Sequence, residues 1–192
     1  MSRRATLSLL VALAGLVLAA LLALLIINPE RSSTDAIGGA FTLTDQRGAS
    51  VTEAALKGSP SLVFFGFTHC PDVCPTALFE IGQVYQALGP QGDRLKSFFI
   101  TVDPERDTPE SLKAYLGSFD PRITGLTGTQ AEIDGAMRAY RAFARKVPLE
   151  GGGYVMDHTA IVYLMDKKGR FVSSINFERP PEENAKRIAD LF

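Results

Sequence analysis

Cys70 and Cys74 are the only thiols in 192 residues, and their spacing decides what they can do. In Cys70-Pro71-Asp72-Val73-Cys74-Pro75 they stand four residues apart. A helical or turn conformation projects both side chains from one side, with α-carbons about 6 Å apart, so the sulfurs can meet. Two cysteines support one disulfide, one metal site or one redox pair, and exclude a multi-bridge scaffold. Pro75 suits the first position of a helix, which would set Cys74 at a helix N-terminus, where unpaired N–H groups and the dipole favour a thiolate. Such a thiolate attacks a disulfide or binds a soft metal. The competing reading is a structural bridge, or two small buried apolar residues. A bridge closing so short a loop restrains the unfolded chain only slightly.

Two thiolates do not complete a typical metal site, and the candidates for a third ligand are His69, His158, Met156 and Met165. Soft thiolates with an imidazole suit copper or zinc. His69 adjoins Cys70 at a strand end, where neighbouring side chains point to opposite faces, so it is expected to point away. His158 ends the run Gly151-Gly-Gly-Tyr-Val-Met-Asp157, just before a strand. The triple glycine suggests a mobile loop that could carry His158 onto a metal held by the cysteines, and the residues alone leave that open. Met156 and Met165 read as packing residues. Asp157 either orients the imidazole or caps the loop.

These groups need a scaffold. The continuous apolar run 61–67 has the pattern of a strand buried on both faces, and it delivers Thr68-His69-Cys70 to its carboxyl end. Spacing predicts a helix over 75–88, a strand over 95–102, a helix over 109–116 capped by Thr108, and a short strand over 123–126. A helix over 129–143 opens with a capping box, Thr129 and Glu132. Hairpins are expected over 41–52 and 159–175, and a polar helix over 181–191 closes the chain. Strands alternating with helices, then a hairpin and a last helix, describe an α/β sandwich with a mixed sheet, whose ligand sites sit beyond strand carboxyl ends.

The N-terminal segment has another composition. Residues 5–27 carry no charge, and only Thr6 and Ser8 have polar side chains. As a helix this stretch reaches roughly 34 Å, enough for a hydrocarbon core of about 30 Å. It is longer than a signal-peptide core and lacks an A-x-A-like site, so a retained single-pass anchor is expected. Arg3 and Arg4 place its start in the cytoplasm and the rest beyond the membrane, the periplasm in a bacterium, where exposed thiols tend to oxidise. The expected organisation is an anchor over 1–27, a Ser-, Thr-, Gly- and Pro-containing linker over 28–39, and one domain over 40–192. A pI near 6.1 with no basic stripe excludes a nucleic-acid footprint.

Taken together, Gly66-Phe-Thr-His-Cys-Pro-Asp-Val-Cys-Pro75, Val102-Asp-Pro-Glu-Arg-Asp-Thr-Pro109 and Asp157-His-Thr159 resemble the Sco/SenC family, in order along the chain. The resemblance implies a thioredoxin-like fold with an extra N-terminal β-hairpin and one N-terminal transmembrane helix. It also implies one copper ion held as Cu(I), and as Cu(II) with a further ligand, by Cys70, Cys74 and His158. The expected role is delivery of copper to the binuclear copper site of cytochrome c oxidase subunit II, with a copper donor chaperone and a thiol reductant as further partners. The alternative is a thiol-disulfide oxidoreductase that uses Cys70 and Cys74 to reduce that site's cysteines. Spacing favours the carrier, because disulfide reductases of this fold use C-x-x-C and have no use for a histidine opposite it. A peroxidase would need P-x-x-x-T-x-x-C, and Pro60 lies too far from Cys70. Asp103 matches a family loop near the site, or is a strand-end turn residue.

Overall fold

Ser61–Gly66 (β3) is buried at all six positions, which a strand achieves at the centre of a sheet covered on both faces. It pairs in parallel with β4, Lys96–Thr101, and antiparallel with β8, Val162–Met165. β4 continues in parallel to β5, Ile123–Thr127, and β5 pairs antiparallel with β1, Thr42–Asp45. β2, Ser50–Thr52, and β9, Phe171–Ser174, form the two edges, giving the order β2-β1-β5-β4-β3-β8-β9. Both expected hairpins are present, the first as β1–β2 and the second as β8–β9. The sheet is mixed, as the alternation of elements implies.

The structure is a computed structural model that describes residues 13–18 and 37–192. Residues 13–18 are helical, with Leu13, Leu16, Val17 and Leu18 exposed. No helix among the described residues is long and apolar enough to cross a membrane. The rest of the expected anchor over 5–27, and most of the linker, lie outside them.

Within residues 37–192, four α-helices pack around the sheet. α1, Val73–Leu88, buries Cys74, Leu78, Ile81, Val84, Tyr85 and Leu88 along one stripe. It begins two residues before the expected start, so Pro75 is its third residue. Proline is tolerated there because the first-turn N–H groups have no intrahelical partner. α2, Pro109–Leu116, is capped by the Thr108 hydroxyl, which accepts from the Ser111 N–H. α3, Gln130–Tyr140, carries the full Thr129–Glu132 capping box. α4, Pro181–Ala189, packs its Ala185 and Ile188 inward.

The departure from expectation follows α3. Its helical periodicity suggests continuation to 143, but Arg141 adopts a left-handed conformation (φ 53°) and turns the chain out. Ala144–Pro148 (β6) and Tyr154–His158 (β7) then form a separate antiparallel hairpin, register Ala144 to His158. The expected mobile loop is therefore a two-stranded ribbon. Gly151, Gly152 and Gly153 make its turn, with φ of 93°, 102° and 79°, a run that residues with a Cβ rarely adopt.

Candidate metal centre

The loop that follows β3 holds Cys70, and the first turn of α1 holds Cys74. Cys74 is fully buried and Cys70 is 9% exposed. The Cys74 N–H donates to Cys70 Sγ at 3.4 Å, one of the first-turn amides that a helix leaves unpaired. Both thiols are free. The expectation of a thiolate at Cys74 is corrected here: burial pushes its thiol well above the ordinary value, and the hydrogen bond with Cys70 pushes the same way. Desolvation outweighs the helix N-terminus at a sulfur with no solvent contact.

Gly66, the last residue of β3, sets how close α1 can come. A Cβ there would lie 2.6 Å from the Phe99 ring and 2.9 Å from Cys74 Sγ. Only the missing side chain lets that sulfur sit against the strand.

His158 ends β7 and lies across from the cysteines, its Nε2 3.6 Å from Cys74 Sγ. Its Nδ1 is 3.1 Å from the Thr159 carbonyl oxygen. A carbonyl only accepts, so Nδ1 carries the proton and Nε2 presents a lone pair to the sulfurs. Edges of Phe64 and Phe67 flank the ring at centroid distances of 6.4 and 5.6 Å. Burial lowers its pKa, the Thr159 bond and Asp157 opposing only in part, so the imidazole is neutral near pH 7, the form that binds metal. The other candidates lie elsewhere. His69 is 55% exposed and faces the Thr68 hydroxyl. Met156 and Met165 are packed in the core. The Asp157 carboxylate neither orients the imidazole nor caps a loop. It accepts from Arg145 Nε across the ribbon at 3.0 Å.

Two buried carboxylates brace the site. Asp107 accepts from the Thr68 N–H (3.0 Å), the Thr68 hydroxyl (2.6 Å) and the Thr101 hydroxyl (2.6 Å), while its carbonyl accepts from Thr127. It thus ties together the ends of β3, β4 and β5 immediately before Cys70. Asp103 accepts from the Arg106 guanidinium and from the Tyr154 hydroxyl at 2.8 Å. Arg106 also donates to the Tyr154 carbonyl (3.1 Å) and lies over the Tyr154 ring at 3.9 Å. This latch fastens the first residue of β7, and so the strand that ends in His158, to the loop after β4. Asp103 is more than a turn residue. Asp107 escaped sequence reading because an aspartate before Thr108-Pro109 reads as part of a helix start.

The donor atoms of Cys70, Cys74 and His158 all lie within 4.8 Å of one another. Bonds of about 2.0–2.3 Å in a trigonal arrangement put donors roughly 3.5–4 Å apart, so the set closes on one ion with a shift of about 1 Å or less. Two thiolates and one imidazole select a soft, thiophilic ion such as Cu(I) over hard cations.

A comparison with known families matches SCO1/SenC over residues 29–192. A SCO2-like protein of Rickettsia felis is 38% identical over 149 residues, covering 77% of this chain and 73% of the relative. Among solved structures, Bradyrhizobium japonicum ScoI with copper bound is similar at 56% identity and a TM-score of 0.79, covering 82% of this chain and 100% of that one. Yeast Sco1 with copper bound is similar at 39% identity and a TM-score of 0.74, covering 81% and 87%. The described domain shares their thioredoxin-like α/β fold.

Proposed function

The chain belongs to the SCO1/SenC family, and from that premise we propose that it is a copper metallochaperone using Cys70, Cys74 and His158 as its three ligands. The observation that carries this reading is the convergence of two sulfurs and a lone-pair Nε2 within 4.8 Å. Copper-bound relatives at 56% and 39% identity support the choice of ion. Copper is the cargo, held as Cu(I); Cu(II) binds with an added water or carboxylate. Three ligands leave the coordination shell open, so a thiolate of the recipient joins the metal before a ligand here departs. Transfer is then ligand exchange without turnover.

The recipient is the binuclear copper site of cytochrome c oxidase subunit II. A copper donor loads the site, and a thiol reductant keeps the pair reduced. Residues 5–27 anchor the chain as a single pass, with Arg3 and Arg4 on the cytoplasmic side and the domain beyond the membrane, in the periplasm of a bacterium.

One observation favours a second reading, thiol-disulfide oxidoreductase. Cys70 is the more accessible sulfur and receives the Cys74 N–H, the arrangement of an attacking thiolate beside a buried resolving thiol. Cys70 would attack the partner's disulfide, and Cys74 would displace it, leaving a Cys70–Cys74 disulfide and a partner dithiol. His158 has no part in those steps.

Anaerobic Cu(I) titration of the reduced full-length chain in detergent, against a competing chelator, separates the two. The carrier binds one copper per chain, and His158→Ala weakens binding by more than the 10–100-fold typical of losing an outer partner, while thiol exchange survives. Weak binding that ignores the substitution rejects the carrier in favour of the oxidoreductase.

A further inference from the structure

Large apolar side chains stand exposed around the metal centre. Val73, between the two cysteines, is 45% exposed, Ile161, three residues past His158, is 41% exposed, and Phe143 is 55% exposed. Phe143 is fixed next to His158 by two hydrogen bonds with Thr159: its N–H donates to the Thr159 hydroxyl and its carbonyl accepts from the Thr159 N–H, both at 2.9 Å. Single exposed apolar residues are ordinary on a protein surface, whereas a group gathered at one site is the mark of a docking face.

Val73 is also one wall of a groove of about 210 Å³, shared with Phe64, Ala77, Ala160, Val162 and Phe177. Pockets for drug-sized ligands run roughly 300–1,000 Å³, so this one admits a single large side chain. Phe64 lines the groove and also flanks the His158 ring, 6.4 Å between centroids, so the groove and the metal centre share a wall. The charged residue of the lining is Asp72. Its carboxylate is exposed, does not cap α1, and pairs with no cation among the described residues.

What covers the groove follows from what the site releases. A thiolate that takes copper from Cys70, Cys74 and His158 bonds the ion at about 2.3 Å. The residues beside that thiolate therefore fall on the surface that Val73 and Ala160 form. We propose that the groove seats the recipient of the copper, a polypeptide segment that presents a large apolar side chain and a lysine or arginine next to its thiol ligands. This rests on the copper-carrier reading and deepens it by naming the chemistry of the partner. The apolar side chain fills the groove, the cation meets Asp72, and together they hold the segment where its thiolate reaches the ion. An apolar centre with a charged rim is the usual build of a protein interface.

The test follows Cu(I) transfer from the loaded full-length chain in detergent to two synthetic dithiol peptides. One carries a leucine and a lysine beside its cysteines, and the other has serine in place of the leucine. Wild type should load the leucine peptide about tenfold faster, the effect of one well-seated anchor. Ala160→Leu, which fills the groove, should erase that preference while binding Cu(I) and melting as wild type does, and Ala160→Ser should keep it. Asp72→Asn should slow loading of the leucine peptide several-fold at low salt and not at high salt, where screening has already removed the pair. Equal loading of the two peptides by wild type, which needs no variant to fold, overturns the proposal and leaves the carrier reading standing. A preference that survives Ala160→Leu does the same. So does a wild-type dimer in sedimentation that Ala160→Leu dissolves, since the occupant is then a second copy of this chain. Wild type that takes up no copper overturns both readings.

Discussion

The two sides of the metal centre differ in proton content, and that difference sets how the site responds to pH. His158 arrives ready: Nδ1–H is held by the Thr159 carbonyl, and burial holds the imidazole pKa below its ordinary value, leaving Nε2 unprotonated near neutral pH. Cys74 arrives protonated, because burial pushes its thiol well above the ordinary cysteine range. Copper must therefore displace a proton from Cys74 but none from His158. Cu(I) affinity should rise with pH by at least about tenfold per unit between roughly pH 6 and 8. Because burial lowers the His158 pKa, protons compete with copper there only below the usual imidazole range. Chelator competition at several pH values checks the slope, and an affinity flat across this range would mean that Cys74 is not a ligand. At this scale the sequence revealed the cysteines, which share one short segment, but not their partner. His158 lies 84 residues from Cys74, and no local spacing links them, so the residues left it one of four candidates and the resemblance singled it out. The roles of Gly66 and Asp107 were invisible for the same reason: each acts through neighbours on other elements.

Elements whose residues alternate or repeat cleanly were legible: the buried run of β3, the stripe of α1, the Thr108 and Thr129 caps. The β6–β7 ribbon was not, because Ala144–Pro148 carries Arg145 and Lys146 beside a mostly exposed strand, and its apolar pattern is too weak to read. That ribbon nonetheless supplies a ligand, and it pairs with no strand of the main sheet. Besides Met156 in the core, what orients it is the latch: Tyr154 hydroxyl and Arg106 on buried Asp103, with Lys146 pairing Glu105 outside at 2.5 Å. Tyr154→Phe removes one hydrogen bond to a buried carboxylate, a loss of about 1–3 kcal/mol. The loss should fall on the ribbon and not on the main sheet. Amide exchange of residues 154–158 should accelerate while β3 and β4 keep their protection, and Cu(I) affinity should drop several-fold as His158 loses its fixed position. Equal loss of protection in β3 would show that the latch supports the domain as a whole and does not position the ligand.

On the scale of the molecule, the site joins two parts of the fold that share no strand pairing. Cys70 and Cys74 belong to the junction of the main sheet with α1, braced by Asp107. His158 belongs to a ribbon held by its latch, by Met156 in the core and by contacts with Phe64 and Phe67. An ion bound to all three cross-links positions 70–74 to 158, a bond present only in the folded state. Binding to the native state alone stabilises by about 4 kcal/mol at a free ion concentration of a thousand times Kd. For a domain of this size that is on the order of 8–16 °C in melting temperature. Loading with Cu(I) should produce a rise of that order, and a Cu(I)-specific chelator should reverse it. His158→Ala must blunt the rise sharply, since the two cysteines, four residues apart on one element, hold copper without bridging to the ribbon. A variant that melts as high as loaded wild type at equal saturation would show that the ion stabilises the cysteine loop alone, and that the ribbon is not part of the metal centre.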